Sequence, residues 1–269
     1  MKHDARMDIV ERRSYQVAKA NEFIQKARYN LTLKELKLLG YIISRIKPND
    51  PKDKEYEMSI KEYCEICGIQ LNSGGNYESV KKGLQALRNK SFWLVTANGH
   101  IVCTGWIERP EVIPQSGRVI FRFSPELQEY LFDLRGNYTQ YELLATLPMK
   151  SAYSIRLYEL LKSYSFNHTD VALTIDELRE VTGSSGMYPE YRDLRRKVID
   201  VAVREINLYT DLDITYTKEQ VGRTVKAVRF YMSKKDMDGR IGAYSAAEKA
   251  LDGDDIPGQM TLSEWLSGK

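Results

Sequence analysis

The fold is decided by the stretch Tyr56-Glu57-Met58-Ser59-Ile60-Lys61-Glu62-Tyr63-Cys64-Glu65-Ile66-Cys67-Gly68, because its pattern returns 115 positions later at Val171–Gly183. Met58-Ser59-Ile60-x-Glu62 aligns without a gap with Leu173-Thr174-Ile175-x-Glu177, and both copies end in glycine. Each copy reads as a short strand followed by Ser or Thr with Glu three residues later, the pattern that caps the start of a helix. The chain therefore contains an internal duplication.

A second helix follows in each copy, where the alignment resumes at an offset of 114. Its apolar residues recur at i, i+4 and i+7, which predicts one buried stripe. A basic pair lies between them, Lys81-Lys82 in the first copy and Arg195-Arg196 in the second. The other aligned positions are Tyr77 with Tyr191, Val80 with Leu194, Leu84 with Val198, and Leu87 with Val201. A duplicated basic helix predicts a protein that grips one polyanion in two places.

The charge is divided unevenly along the chain. The 269 residues suffice for two domains, and a composition of 42% hydrophobic and 29% charged residues is ordinary for a globular protein. Residues 236–269 contain 7 acidic and 3 basic residues, whereas residues 1–235 contain 30 acidic and 37 basic residues. A basic body with an acidic tail favours nucleic acid as the partner. A solvated surface with a slight excess of lysine is the alternative.

The location of the protein is expected to be cytoplasmic. No apolar run in the sequence approaches the roughly 20 residues needed to span a bilayer. The charged start Met1-Lys2-His3-Asp4 lacks the apolar core of a signal peptide. Three cysteines without a framework pattern suit a reducing compartment.

The order of predicted elements is that of a winged helix-turn-helix, and it occurs twice. The first copy is predicted as helix Val17–Tyr29, a helix capped by Thr32-x-x-Glu35, strand Glu55–Met58, a short helix ending near Gly68, basic helix Asn76–Asn89, and strands Phe92–Ala97 and Ile101–Ile107 joined at Asn98-Gly99. The second copy is predicted as helix Ser151–Tyr164, strand Val171–Leu173, a helix to Gly183, basic helix Tyr188–Ile206, and strands Leu212–Thr217 and Thr224–Met232. Strand Val119–Phe123 and a helix from Ser124 to Leu134 lie between the copies.

The predicted fold class is therefore α+β, with two tandem winged helix-turn-helix domains and a mobile acidic C-terminal tail. The domain boundary is placed near Gly136. This gives a first domain of residues 1–135, a second of residues 136–235, and a Gly- and Asp-rich tail of residues 236–269 that is expected to be flexible.

The outward faces of the two basic helices are the candidate DNA contacts. On the first helix Val80, Leu84 and Leu87 point inward, which leaves Lys81, Lys82, Gln85 and Arg88 outside. On the second helix Arg192 and Arg196 face away and Arg195 lies at the edge. The planar fork of Arg can meet O6 and N7 of guanine together, which favours base reading in the major groove. A merely solvated basic face is the alternative.

The hairpin tips are the candidate wings. The second tip supplies Lys218, Arg223 and Lys226, which are expected to lie along phosphates. The first tip supplies Asn98, Gly99 and His100, which carry little charge. Only the second tip is therefore predicted to contact DNA.

Metal binding and catalysis find little support. Cys64-x-x-Cys67 with His100-x-x-Cys103 offers four formal zinc ligands, but residues three apart on a strand face opposite sides. Burial in the core is the expected role of Cys64 and Cys67. No phosphate-binding G-x-x-x-x-G-K-[ST] loop occurs, and no nucleophile or acidic metal pair stands out. We therefore expect no metal, no cofactor and no enzymatic activity.

The chain resembles the iteron-binding Rep superfamily of plasmid replication initiators. The resemblance lies in the segments Leu31–Leu39, Ser154–Leu161 and Tyr191–Ile199 through Glu205-Ile206-Asn207, and it covers about Tyr15–Ser233. It implies binding to direct repeats of double-stranded origin DNA, melting of nearby AT-rich DNA and recruitment of the host helicase. It also implies dimers that repress the initiator gene and monomers that start replication. By position, Arg192, Arg195 and Arg196 match the DNA-reading helix of the second domain, whereas the first-domain helix matches in arrangement more than in letters.

Two other functions remain open from the sequence. A winged-helix transcription regulator without an origin role differs little in its residues from an initiator that also represses. A DNA-nicking enzyme needs a metal or nucleophile for which the sequence shows no candidate.

The tail carries one separate motif. Gln259, Leu262 and Trp265 partly resemble the Gln-x-x-Leu-plus-aromatic peptides that dock into the sliding clamp, although the aromatic comes one place late. Alternatively, Thr261-x-x-Glu264 caps a short helix that packs on the protein itself.

Overall fold

The computed structural model describes residues 11–69, 74–96 and 98–252, with no account of the side chains at 74 and 76. Its contacts divide the chain into two compact units, Met1–Leu143 and Leu144–Lys269. We call them the first and the second unit. No helix in these described ranges is long and apolar enough to cross a membrane.

In its described residues, 11–69, 74–96 and 98–143, the first unit contains five α-helices, of which the last is a single turn, and seven strands. In chain order the elements are β1 (Gln16–Ala20), α1 (Asn21–Lys26), α2 (Leu33–Ile43), β2 (Tyr56–Ser59), α3 (Ile60–Ile66), α4 (Gly74–Asn89), β3 (Phe92–Val95), β4 (Ile101–Thr104), β5 (Ile107–Ile113), β6 (Arg118–Phe123), a 3-10 turn Pro125–Leu127, α5 (Gln128–Leu131) and β7 (Tyr138–Glu142). The strands form three antiparallel sheets, ordered β2-β6-β5, β3-β4 and β1-β7.

The second unit is simpler. After a 3-10 turn at Leu143–Ala145 the elements are α6 (Ala152–Tyr164), β8 (Asp170–Thr174), α7 (Ile175–Thr182), α8 (Tyr191–Leu194), a π-helical turn (Arg195–Ile199), α9 (Asp200–Tyr209), β9 (Leu212–Val221), β10 (Thr224–Lys234) and α10 (Met237–Asp252). The strands of the second unit within residues 144–252 form one antiparallel sheet with the order β8-β10-β9. This is the order of a winged helix, with a strand, two helices and a hairpin that returns beside the strand.

The duplication predicted from the sequence is confirmed in three dimensions. Ser59 and Thr174 each accept a hydrogen bond from the amide three residues on, at 3.3 and 3.2 Å, so α3 and α7 begin with the same cap. Gly68 and Gly183 end the two copies in the left-handed region, with φ of 65° and 74°. A side chain is disfavoured there, which explains why both copies carry glycine.

The core of the first unit is aromatic. Phe23, Tyr29, Phe92 and Trp106 lie within ring-centroid distances of 4.7–6.2 Å of one another, and Trp106 is fully buried. Edge-to-face contacts such as Tyr29–Trp106 are the favoured geometry for aromatic pairs. This cluster joins α1 to the β3-β4 hairpin and anchors the segment before α2.

The predicted helix Val17–Tyr29 is wrong. Residues Gln16–Ala20 form β1, which pairs antiparallel with β7, and only Asn21–Lys26 is helical. Val17 and Lys19 are both buried while their neighbours are not, which is the period of a strand. Because its partner lies more than a hundred residues away, the local pattern did not reveal it. This pairing also places the division of the units after β7, whereas the sequence-based boundary between residues 135 and 136 lies before it.

The predicted helix from Ser124 to Leu134 is shorter than expected. A 3-10 turn at Pro125–Leu127 and one turn of α-helix at Gln128–Leu131 replace it.

Part of the segment predicted as a flexible tail is a helix. Residues Met237–Asp252 form α10, and Ala243, Tyr244 and Ala247 are buried where it packs against α9. The carboxylate of Asp236 accepts from the amide of Gly239 at 2.8 Å and so caps the helix start. The sequence did not indicate this helix, because its segment is rich in acidic residues and alanine dominates its buried apolar positions. Residues 253–269, including Gln259, Leu262 and Trp265, lie outside the described part of the chain.

Candidate nucleic-acid interface

Helix α4 presents its basic face as predicted. Val80, Leu84 and Leu87 are buried, and the four candidate contact residues are exposed: Lys81, Lys82, Gln85 and Arg88. Helix α4 also sits close to α2, since a Cβ built at Gly83 would lie 2.9 Å from Cδ2 of Leu38. Close packing of this kind fixes which face of the helix meets solvent.

The second basic helix contains a turn that the sequence pattern did not indicate. Between α8 and α9 the backbone forms a π-helical turn, in which the amide of Asp200 donates to the carbonyl of Arg195. A π-turn inserts one residue and rotates everything after it by about 100°. The buried positions are consequently Leu194, Val198, Ile199, Ala202 and Ile206.

This rotation corrects one aligned position. Val201 was expected to point inward like Leu87, but Val201 is half-buried and Ala202 is fully buried. The alignment of the two copies changes from an offset of 115 to one of 114 before the basic helices. The extra residue of the π-turn brings the offset back to 115, so that the buried Ala202 corresponds to the buried Leu87. Such turns are frequent at functional sites in helices.

The three candidate base-reading arginines are exposed on this helix. Arg195 lies 3.5 Å from a carboxylate oxygen of Asp200, and Arg196 lies 3.2 Å from Asp193. Arg192 has no carboxylate within 4 Å among the residues described. All three therefore project from the N-terminal half of the helix, the part that a recognition helix presents to base edges.

The turn that precedes this helix is held by residues that sequence reasoning missed. One nitrogen of Arg179 donates to the carbonyls of Tyr188 and Pro189, both at 3.0 Å. Tyr188 adopts a left-handed φ of 51° and packs edge-on against Tyr153. The Lys197 ammonium lies 5.1 Å from the Tyr188 ring centroid. Nothing in the local sequence marks these contacts, because they join two helices and a turn.

The hairpin β9–β10 is the wing of the second unit, as predicted. Its tip is Gly222-Arg223, with Gly222 at a φ of 59°. Lys226 lies at a bulge between Val225 and Ala227, and Lys218 lies opposite Val228. Lys218, Arg223 and Lys226 are all exposed. At the base of the wing Arg229 bridges Glu219 and Asp170 at 2.7 and 2.5 Å, which ties the hairpin to β8.

The wing of the first unit is not the hairpin predicted for it. Strand β2 pairs with β6, and β6 with β5, in the same order that β8, β10 and β9 adopt. The wing is therefore β5–β6, with its tip at residues 114–117. The β3–β4 hairpin, which contains Asn98, Gly99 and His100, is a separate two-stranded insertion.

Charged pairs run along the first wing. The guanidinium of Arg118 makes a two-point ion pair with Glu57, and Arg122 pairs with Glu55 at 2.7 Å. These pairs cross from β6 to the segment of β2.

Two of the three cysteines are buried, as the packing role predicted for them requires. Cys64 and Cys67 are buried in the first unit, and burial raises the pKa of the Cys67 thiol to about 12. Cys103 is exposed on β4. Within residues 11–69, 74–96 and 98–252, no group of three His, Cys, Asp or Glu side chains could hold a metal ion.

Several residues of the segments that suggested a replication initiator make contacts within the second unit. Arg156 and Glu159 of α6 form a buried ion pair at 3.6 Å. The Glu205 carboxylate accepts from the amides of Lys150 and Ser151 just before α6, at 3.0 and 3.3 Å. The Asn207 side chain makes two hydrogen bonds to the backbone of Ile214, at 2.9 and 2.7 Å. These contacts hold α9 against the start of α6 and against β9.

Two family models match the chain. The model described as "Initiator Replication protein, WH1" covers residues 16–162, and the one described as "Initiator Rep protein, WH2" covers residues 174–232. The first model alone spans more than half of the chain.

Individual proteins are similar along much of its length. An uncharacterized 27.6 kDa protein of Escherichia coli is 22% identical over 81% of this chain and 95% of its own length. The PI protein of Escherichia coli is 26% identical over 44% of each chain. The crystal structure of the Pi initiator protein in complex with iteron DNA has a TM-score of 0.68 at 19% identity. The superposition covers 83% of this chain and 99% of the Pi initiator chain, which shows that the two share a fold.

Proposed function

This chain belongs to the family of initiator replication proteins, and we propose that it starts plasmid replication by binding direct repeats, the iterons, at a replication origin. The observation that carries the proposal is the pair of basic helices, α4 and the α8–α9 helix. Each is seated by a buried apolar face, so that its cationic face points to solvent. The solved structure with the same fold contains iteron DNA, which supports this choice of ligand. The protein acts in the cytoplasm, without a cofactor or catalytic group.

The exposed side chains divide into two roles. Arg192, Arg195 and Arg196 read base edges in a major groove, because their guanidinium groups can contact guanine at two points. The other cationic and amide groups lie along phosphates and set the register: Lys81, Lys82, Gln85 and Arg88 on α4, and Lys218, Arg223 and Lys226 on the second wing. Affinity then depends on salt, whereas specificity depends on the three arginines.

Origin binding serves two further steps in this proposal. Bound initiators open nearby AT-rich DNA and recruit host replication proteins such as the replicative helicase. The same DNA-binding surfaces allow the protein to repress its own gene and so limit copy number. The tail residues Gln259, Leu262 and Trp265 are proposed to contact the sliding clamp.

The free protein is proposed to be a homodimer that pairs through the β3–β4 hairpin. One face of this hairpin carries Trp93, Val95 and Ile101, which are 65%, 54% and 66% exposed, and also Cys103. Among the described strands β3 and β4 pair only with each other, so both have an unpaired edge. A two-fold axis places the same strand edge of a second chain antiparallel to the first, so that the two edges can form an antiparallel pair. The hairpin can therefore pair with its own copy.

The dimer is tested by sedimentation velocity of the full chain. Trp93→Glu with Ile101→Lys should give a monomer, while Phe166→Glu serves as the matched control at an exposed aromatic of the second unit. Equal dimer populations in both variants would contradict the hairpin as the interface. A repeat-bound complex of one chain per repeat is the expected origin form.

The proposed function is tested by footprinting on the DNA that flanks the gene. We expect protected direct repeats, with about 20 base pairs covered per chain if two helices enter major grooves one turn apart. Replication of a plasmid should depend on the gene, which separates an initiator from a regulator alone. Protection no stronger than on shuffled DNA would contradict the proposal.

A further inference from the structure

Three side chains of the second unit connect the wing to the recognition helix. The hydroxyl of Tyr216 on β9 donates to Oδ1 of Asp200 at 2.5 Å. The other oxygen of that carboxylate, Oδ2, lies 3.5 Å from Nε of Arg195. The Tyr216 ring packs beside the fully buried Phe230, at 6.1 Å between centroids, so this series of three side chains begins in the core beneath the wing.

The backbone places Asp200 where it can act on Arg195. Asp200 follows the π-turn, and its amide donates to the carbonyl of Arg195. The extra residue of this turn brings a carboxylate five positions later beside the arginine. A regular α-helix pairs residues three or four positions apart instead, as Asp193 and Arg196 do at 3.2 Å.

The phenol of Tyr216 remains a donor. Burial, together with the hydrogen bond to the Asp200 carboxylate, raises the pKa of Tyr216 above its ordinary value. The hydroxyl therefore keeps its proton at neutral pH and holds the carboxylate in one position.

This arrangement has a consequence for DNA reading. The guanidinium has five N–H donors, and an interaction at Nε leaves the two terminal nitrogens for another partner. Those two nitrogens can meet O6 and N7 of one guanine. Side chains that are half exposed, as Arg195 is at 53%, lose conformational freedom on binding, and a fixed carboxylate reduces that loss.

We propose that Asp200 and Tyr216 are positioning residues that set the Arg195 guanidinium for a two-point contact with a guanine of the repeat. The proposal rests on the proposed function and adds to it the base, the atoms and the supporting residues. A negative charge near the DNA also weakens binding to phosphate in general. Asp200 thus favours the correct sequence over random DNA.

The test measures the affinity of the full chain for two duplexes at fixed salt. One contains the repeat that footprinting protects, and the other is a shuffled sequence of the same composition. The test variants are Tyr216→Phe and Asp200→Asn. The matched controls are Tyr231→Phe, on the exposed face of the same sheet, and Asp213→Asn. The second control removes one carboxylate charge from β9, at a residue that lies 3.8 Å from Lys235 and not beside any of the three arginines.

We expect each test variant to reduce the ratio of cognate to random affinity about tenfold, as for the loss of one good two-point base contact. The controls should keep this ratio within about twofold. Replacing the contacted guanine by 7-deazaguanine removes its N7 acceptor. It should weaken the wild type and leave Tyr216→Phe nearly unchanged, because the two losses are not additive.

Equal losses on both duplexes, or an unchanged ratio in both variants, would overturn the positioning role. A merely structural role would lower thermal stability and both affinities together. If the wild type itself shows no preference for the repeat, the proposed function fails instead, and this inference fails with it. If the wild type prefers the repeat and both test variants prefer it to the same degree, only the positioning role is refuted and the proposed function stands.

Discussion

Nε of Arg156 donates a hydrogen bond to the carbonyl oxygen of Val181 at 3.1 Å, in the core of the second unit. Arg13 makes the same contact in the first unit, with Nε 3.0 Å from the carbonyl of Ile66. Ile66 and Val181 are equivalent positions of the duplication, in the last turns of α3 and α7. Carbonyls in the last turn of a helix lack a partner within the helix, so each copy uses a buried arginine to satisfy one. The two arginines lie on different elements, which means that the contact is shared although the sequence around it is not.

Arg156→Met should destabilise the protein by about 3–5 kcal/mol, because it removes an ion-pair partner of the buried Glu159 and a donor to Val181. Urea unfolding measures the difference. Arg204→Met, at an exposed position of α9, should change stability by less than about 0.5 kcal/mol. The pair Arg156→Met with Glu159→Leu should recover part of the loss, since the buried carboxylate is removed together with the guanidinium. Similar stabilities of Arg156→Met and Arg204→Met would show that the buried contact contributes little.

Arg192→Ala, Arg195→Ala and Arg196→Ala should each cost about 1–3 kcal/mol on the cognate repeat and much less on random DNA, if each arginine reads a base. Lys82→Ala is the matched cationic change on α4. It should weaken binding to both DNAs nearly alike and reduce the salt dependence, as expected for a phosphate contact. Competition titrations at several salt concentrations give both quantities. Losses of equal size on cognate and random DNA for all three arginines would remove base reading from this helix.

Fragment 1–143 should be more stable than fragment 1–135 by at least about 2 kcal/mol. The longer fragment keeps β7, which covers β1 and buries Tyr141 beside it. Thermal unfolding of the two fragments checks this. Equal midpoints would mean that β1 does not need β7, and that the boundary near Gly136 describes the first folding unit as well.

Both units should be required on one DNA. Fragments 1–143 and 144–252 should each bind the repeat weakly, whereas the full chain gains the effective concentration of two linked sites. Mobility shifts with the fragments alone, mixed and linked provide the comparison. A single fragment that matched the full chain in affinity and footprint length would contradict binding at two places.

The thiols should differ strongly in reactivity. Cys103 is exposed, whereas burial raises the pKa of Cys67 to about 12 and also raises that of Cys64. Only a thiolate alkylates readily. In the monomeric variant with Trp93→Glu and Ile101→Lys, where no second chain covers the hairpin, iodoacetamide near pH 8 should therefore modify Cys103 first and the other two thiols only after unfolding. Peptide mass spectrometry identifies the modified residue. Early modification of Cys67 in the native protein would show that the α3 region opens.

The features that depend on near neighbours were readable from the sequence. The caps at Thr32, Ser59 and Thr174 form as expected, because they need only a hydroxyl and a backbone amide three residues away. The inward stripe Val80, Leu84 and Leu87 and the outward basic face follow from helical period alone. With the duplication, these local patterns predicted the strand and the two following helices of each copy and the candidate DNA contacts.

Only the tertiary structure decided which strands pair and which charges meet. The first wing is β5–β6 and not the predicted β3–β4, and residues 16–20 form strand β1 and not part of a helix. Both differences depend on pairing with strands far along the chain. The link from Tyr216 through Asp200 to Arg195 required both the π-turn and the wing. A sequence pattern records the preferences of neighbours, whereas strand pairing, a rotated helix and a buried ion pair are set by contacts between distant segments.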